Sequence, residues 1–324
     1  MSLDEFGLIA RYFTRPVPER QGVGDDCALI DVGAATLALT TDMLVEGVHF
    51  FPGAEPDALG HKCLAVNLSD LAAAGARPRS FLLALALPAP DPAWLEAFSR
   101  GLFALAQEHD CHLIGGDTVR AAPRGGPLTV AITAIGEVDP GMVRGRSGAR
   151  PGDDVWVSGW LGEAALALAA RRGELPVEAL GAEAETCFRR MDRPQPRIAL
   201  GRGLAGLATA AADVSDGLVG DLGHILERSG VGAELIWDDV PRAPAFAGLG
   251  AVWQQHCILA GGDDYELVFT AAPGNRDAVL AAGARSGVPV FRIGRIDTAQ
   301  GLRLRSAAGA RIGDTLKSFN QFPT

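Results

Sequence analysis

The chain has 324 residues, 48% of them hydrophobic, and a formal net charge of −10. At about 150 residues per domain this length fits two domains with large cores, and the acidic balance argues against nonspecific nucleic-acid binding, which relies on basic patches. No apolar run reaches the roughly 18 residues of a membrane span, no secretory signal is visible, and five scattered cysteines without a CxxC pair (Cys27, Cys63, Cys111, Cys187, Cys257) fit reduced thiols in a cytoplasmic protein.

In chain order, SLDEF opens like a capped helix, with Ser2 followed three positions later by Glu5. Strand-like runs follow at CALIDV (27–32) and TLALTTD (36–42), and Val32-Gly33 between them suggests a hairpin. PDALGHKCLAVNLSDLAAAG (56–75) carries helix start and stop signals in Pro56 and Gly75. SFLLALAL (80–87) reads as a strand, PAWLEAFSRGLFALAQEHD (92–110) as an amphipathic helix, and CHLIG (111–115) and LTVAITAIGEV (128–138) as strands. The Gly-, Pro- and Arg-rich segment 139–152 marks a boundary, which divides the chain into 1–140 and 141–324. A second cycle follows. DVWVSG (154–159) is strand-like, helices run to about 208, and AAADVSDGLVGDLGHIL (210–226) reads as strand, tight turn and helix. AELIW (233–237), ILAGGDDYELVFTA (258–271), a helix near 275–286 and strands near 289–296 and 302–306 complete the chain. The expected class is α/β (α+β), in two domains of similar size with mixed sheets.

Several common sites are absent. No lysine follows a glycine, so there is no GxxxxGK[ST] phosphate loop. Only Lys62 and Lys317 are lysines among 29 basic residues, which reads as composition bias. GRGLAG (201–206) matches a dinucleotide pattern but lacks a preceding strand, and reads instead as close packing within a helix. HDCH (109–112) could offer two zinc ligands, but no other ligand pair accompanies it.

What recurs is aspartate beside glycine, serine, threonine or a second aspartate. It appears in GDD (24–26), TTD (40–42), NLSD (67–70), GGDT (115–118), DVSDG (213–217) with Asp221, and GGDD (261–264). Each alone is also an ordinary turn sequence, and GDDV (152–155) is read as one. Together they suit Mg²⁺, a hard cation that takes oxygen ligands and shares them with substrate phosphates. Adjacent glycines would let a phosphate approach the backbone. Asp70 sits near the end of an apolar helix, where the macrodipole disfavours an anion. Its pattern neighbours Val66, Leu71 and Ala74 are apolar, so it is expected to point inward and need a partner. Asp213 and Asp216 flank a strand-to-helix turn, with Ser215 at a helix start that can bind an anion. The residues themselves thus point to a multi-Mg²⁺ phosphate site.

GVGDDCALI, TTDMLVEGVHF, NLSDLAAAGARP, IGGDT, RGRSGARPGDDVWVSG, DVSDGL and GGDDYEL stand in the order and spacing of the thiamine-monophosphate kinase family. That family belongs to the PurM-like (aminoimidazole-ribonucleotide-synthetase) superfamily. The resemblance implies a two-domain PurM-like fold whose N-terminal domain dimerises through its sheet, with the site in the cleft between the domains. It implies direct in-line transfer of the ATP γ-phosphoryl to thiamine phosphate, giving thiamine diphosphate, with no phosphoenzyme. Asp26, Thr40, Thr41, Asp42, Asp70, Asp117, Asp213 and Asp216 would be magnesium ligands. Gly116, Arg146 and Ser215 would contact ATP, and His49, Asp263 and Phe319 would contact thiamine phosphate. Asp25 would support the turn or a water. The implied partners are ATP, thiamine phosphate, several Mg²⁺ and a second copy of the chain, with no nucleic acid and no membrane.

The chain departs from the family in three places. Asp263 stands where Glu is usual, Phe319 where Trp is frequent, and Ala74 where methionine is common. His49 also reads as a surface histidine, and Phe319 as an apolar anchor for the tail. Competing readings are another enzyme of the superfamily and, in a different class, a nucleotide sensor without turnover.

Overall fold

The computed structural model describes residues 7, 9–14, 23–122, 125–139 and 145–312. The expected cap at Ser2 and Glu5, and the tail residues Lys317 and Phe319, lie outside the described residues.

The Val32-Gly33 step is a hairpin turn. β1 (Ala28–Val32) and β2 (Ala35–Val45) pair antiparallel with Val32 opposite Ala35. Gly33 takes the first loop position at φ 63°, where a two-residue loop favours glycine. β2 continues past TTD, so Thr40–Asp42 lie inside a strand rather than at its end. The first half continues with α1 (Pro56–Ala73), β3 (Arg77–Leu87), α2 (Pro92–Glu108), β4 (His112–Arg120) and β5 (Thr129–Val138). β4 outruns the expected CHLIG and takes in GGDT. The sheet order is β1-β2-β5-β3-β4, antiparallel except for β3–β4. That parallel pair needs a crossover, which α2 supplies.

The second half contains β6 (Asp154–Ser158), α3 (Glu163–Arg171), α4 (Ala184–Asp192), α5 (Ile198–Gly203), β7 (Ala208–Asp213), α6 (Leu218–Ser229) and β8 (Gly232–Ile236). It ends with α7 (Ala251–Ala260), β9 (Leu267–Ala271), α8 (Arg276–Ser286), β10 (Val290–Asp297) and β11 (Gly301–Arg305). Its sheet order is β11-β8-β10-β6-β9-β7, antiparallel except for β11–β8.

α1 joins the two halves. Pro56 occupies its first turn, and the Glu55 carboxylate accepts from the Ala58 amide at 2.7 Å. From Leu59 to Ser69 every residue is buried. A helix buried all round must be covered on all sides, its polar His61, Lys62, Asn67 and Ser69 included. β2, β5 and α2 cover one side of α1, and α4, α5 and β7 reach it from the second half. One apolar core therefore draws Phe81 and Ile132 from the first sheet and Trp156 and Phe269 from the second. Truncating Leu68 to alanine here costs about 2–5 kcal/mol. The GRGLAG segment packs as expected: a Cβ on Gly201 would stand 2.0 Å from the Ala72 carbonyl oxygen. Ala74 is buried, in keeping with a packing role. Among the described residues no helix is long and apolar enough to cross a membrane.

Candidate active site

β2 delivers its side chains with period two. Thr40 and Asp42 share the face toward α1, and Thr41 lies on the other, where its hydroxyl donates to the Ile132 carbonyl at 3.1 Å and accepts from Thr133. Any role for Thr41 on the inner side therefore falls to its backbone. α1 answers with the end of NLSD. Asn67 Oδ1 accepts from the Asp42 amide at 3.1 Å, and its own amide donates to the Cys63 carbonyl at 3.0 Å. Ser69 Oγ donates to Asp213 at 2.6 Å, and Thr40 Oγ1 donates to Asp70. Asn67 and Ser69 are fully buried. Within one helical turn, NLSD thus fixes β2, β7 and its own carboxylate.

Asp26, Asp70 and Asp213 converge. One carboxylate oxygen of each lies within 4.8 Å of the others, and among the described residues this is the group that could hold a metal ion. At that spacing two full charges repel by about 4 kcal/mol per pair at an effective dielectric near 20. Their pKa values rise accordingly. Burial, then Asp42, Asp213 and Asp26, push Asp70 well above the usual carboxylate range. Burial and Asp26 push Asp213 up to about 8. Burial raises Asp26, against the opposing pull of Arg146. Cys27 lies beside the group, its thiol pushed up by burial and by Asp70, Asp26, Asp213 and Asp42. Asp42 therefore faces the same cluster.

Two arginines explain the adjacent aspartates of GDD. Arg146 Nη2 reaches Asp26 Oδ1 at 2.6 Å. Asp25 turns the other way: it accepts from the Arg146 amide at 2.7 Å and from Arg228 Nη2 at 3.3 Å. The two like charges are thus held apart by one residue's backbone and side chain, and Arg228, which also donates to the Val23 carbonyl, ties Asp25 to its turn. A single guanidinium leaves three converging carboxylates under-neutralised. Asp26 Oδ1 is buried without a hydrogen bond of good geometry. The donors are all oxygen. This set fits a hard divalent cation such as Mg²⁺.

The DVSDG turn is organised from within. Asp221, fully buried at the start of α6, accepts from the amides of Ser215 and Asp216 at 3.1 Å each. Burial, then Asp216 and Asp213, raise its carboxyl well above normal. Asp216 and Ser215 are half-buried beside the cluster.

GGDDYEL runs alongside. The amides of Asp263 and Tyr265 donate to the carbonyls of Ser215 (2.7 Å) and Val214 (2.9 Å). Both residues adopt left-handed backbone, φ 62° and 52°, a strain of about 1–3 kcal/mol each that clusters at functional sites. Asp263 pairs with Lys62 at 2.5 Å. His49 is near: its Nδ1 accepts from the Val45 amide at 3.0 Å, and burial, then Lys62, lower its pKa. The rest of the motif is structural. Asp264 accepts from the Gly162 amide, and Glu266 is fully buried between Ser158 and Arg197.

Gly116 and Asp117 lie on β4, whose residues are all exposed. Gly116 has φ 155°, and a Cβ there would meet the Leu83 carbonyl oxygen at 1.8 Å, so the glycine is needed for strand pairing. The site reading of the sequence missed Asn67, Ser69, Arg228, Lys62 and Tyr265. Asn67 and Ser69 lay in plain sight within NLSD. Nothing local marked Arg228. Of the HDCH pair, His112 is exposed beside Asp110.

The family model for AIR synthase related protein, N-terminal domain, matches residues 24–138, and that for the C-terminal domain matches 150–306. The chain is 45% identical over 306 residues to a thiamine-monophosphate kinase of Salmonella typhimurium, covering 91% of each. It superposes on the crystal structure of a thiamine-monophosphate kinase from Stenotrophomonas maltophilia with TM-score 0.79, at 47% identity over 94% of this chain and 97% of that one. It superposes on AaThiL complexed with AMPPCP and TMP with TM-score 0.81, at 29% identity over 99% of each chain.

Proposed function

Because the chain belongs to the AIR-synthase-related family and, within it, to the thiamine-monophosphate kinases, we propose that it transfers the γ-phosphoryl of ATP directly to thiamine monophosphate, with several Mg²⁺ ions, giving thiamine diphosphate and ADP. The observation that carries this reading is the convergence of Asp26, Asp70 and Asp213 beside Arg146. Support for the substrates comes from the solved relative held with AMPPCP and TMP.

When bound, Mg²⁺ would neutralise the charge that builds on the transferred phosphate. Asp26, Asp70 and Asp213 would hold it, with Asp42, Asp216 and the backbone at Thr40–Thr41 completing the set. Thr40 and Ser69 orient two of the carboxylates by donating to them. Arg146 offers a planar fork matched to phosphate, set beside Asp26 by their ion pair. Asp221 keeps the Ser215 and Asp216 amides in place. His49 and Asp263 would contact the acceptor, and Phe319 would stack on its thiamine. Gly116 and Asp117 join from β4. The chain's own contribution is positioning and charge neutralisation, the main demands of phosphoryl transfer.

The same reading makes residues 1–140 the N-terminal domain for ATP, metal and dimerisation and 141–324 the C-terminal domain. It places the enzyme in the cytoplasm, in keeping with its five free cysteines. It makes the protein a homodimer through the first sheet, whose strands leave Met43, Leu82 and Ile114 exposed. The test is stoichiometry. Purified protein given ATP, Mg²⁺ and thiamine phosphate should form thiamine diphosphate and ADP one for one, and none with EDTA or with unphosphorylated thiamine. ADP release that ignores the acceptor would refute the reading.

A further inference from the structure

α1 holds, two turns before Ser69, a residue that composition makes unusual. The chain uses arginine for nearly all of its 29 basic positions, and Lys62 is one of two lysines. Lys62 is 6% exposed. Its ammonium donates to the Met191 carbonyl at 2.8 Å and to Asp263 Oδ2 at 2.5 Å. Two acceptors on different segments converge on one point, which a compact ammonium serves and a planar, forked guanidinium does not. The pair is lopsided: the Lys62 side chain is 8% exposed and that of Asp263 31%. A buried cation therefore holds a partly exposed carboxylate.

Three further features converge on that carboxylate. Asp263 and Tyr265 keep left-handed backbone, which persists where the surroundings over-determine it. Tyr265 interacts with the Asp263 carboxylate and lies within the field of Asp42 and Asp213. His49 lies within the field of both Lys62 and Asp263. Lys62 and Ser69, seven residues apart, share a face of α1 and are about 10 Å apart along its axis. One rigid helix thus fixes the spacing between Asp263 and Asp213.

We propose that Lys62 is a positioning residue for the acceptor: acting through Asp263, it holds that carboxylate, and with it the cationic ring end of the acceptor, at a fixed distance from the centre where the phosphoryl group is transferred. This rests on the thiamine-phosphate reading of the site and adds the residue that sets acceptor geometry. The shorter aspartate in place of glutamate makes the dependence on Lys62 stronger, since the side chain has less reach of its own.

The test is steady-state kinetics of the full chain, after wild-type turnover of thiamine phosphate has been established; failure at that first step would overturn the underlying reading rather than the role of Lys62. In Lys62→Met, the KM for thiamine phosphate rises by about tenfold or more, as expected when a charged partner is lost, while the KM for ATP changes by less than about twofold. In the double variant Lys62→Met/Asp263→Asn, the acceptor KM is no worse than in Asp263→Asn alone, because one residue acts through the other. If Lys62→Met shows no cooperative melt, Lys62→Arg carries the test: it keeps the charge, misplaces the pair, and shows the same split. A merely structural lysine would lower the melting temperature and move both KM values together. That result, additive effects in the double variant, or a wild-type acceptor KM in the folded variant would overturn the proposal.

Discussion

Ser69 Oγ donates to the Asp213 carboxylate at 2.6 Å, across 144 residues of sequence. This bond ties the helix between the two sheets to the strand that ends at the DVSDG turn. It also decides which lone pairs of Asp213 remain for a cation. Ser69→Ala should lower stability by about 1–3 kcal/mol, because a buried carboxylate loses its donor. It should also weaken Mn²⁺ binding by about tenfold, as expected when the partner of a metal ligand is removed. Paramagnetic relaxation gives the affinity and thermal melts give the stability; unchanged metal affinity would detach Ser69 from the site.

Asp70→Asn separates function from stability. Removing one of three repelling carboxylates should raise the stability of the metal-free protein by about 1–3 kcal/mol. The same change should reduce kcat/KM by about a thousandfold or more. Asp42→Asn should likewise abolish turnover and leave the melt intact. Melts in EDTA alongside initial rates check both. Near-normal activity in either variant would remove that residue from the metal set.

The cluster predicts a pH dependence with a definite sign. Asp213 has its pKa raised from an ordinary 3.8 to about 8, and Asp70 and Asp26 move the same way. The folded protein then binds more protons than the unfolded chain between those values, so metal-free stability falls as pH rises from about 4 to about 8. Mg²⁺ needs the ionised carboxylates, so its stabilising effect grows over the same window. Melting temperatures with and without Mg²⁺ at pH 5.5 and 8 should show about twice the metal effect or more at the higher pH. An equal effect at both would contradict the raised carboxyls of the cluster.

His49→Ala should raise the KM for the acceptor by about three- to tenfold and leave that for ATP nearly unchanged. A change confined to ATP would move His49 out of the acceptor corner.

Much of this molecule was legible in its residues. The helix signal at Pro56, the amphipathic run at 92–110, the hairpin at Gly33 and the strand-turn-helix at 210–226 appear where local chemistry places them. The inward direction of Asp70 followed from its apolar neighbours. Less legible were facts that depend on register and long-range closure. TTD and GGDT were expected near strand ends, but β2 and β4 run on through them. Period-two alternation, applied to the longer strand, would have turned Thr41 away from Thr40 and Asp42. The partners of Asp25 and Asp26 come from residues 146 and 228, and no local pattern announces a contact across such a separation. Lys62 was passed over as composition, although its rarity was the signal. GGDDYEL was read as one motif, but its residues divide between the cleft (Asp263), a backbone cap (Asp264) and a buried ionic core (Glu266).

The central claim is that a site of carboxylates and one arginine passes a phosphoryl group directly between two substrates. The hydroxyls nearest the trio, those of Thr40 and Ser69, already donate to Asp70 and Asp213, and the adjacent Cys27 thiol is held protonated. The most direct measurement is the stereochemical outcome at phosphorus, using ATP chiral at the γ-phosphate by oxygen isotopes and analysing the thiamine diphosphate formed. A single in-line displacement predicts inversion. Retention would mean two displacements, and with them a phosphorylated protein residue that this account does not contain.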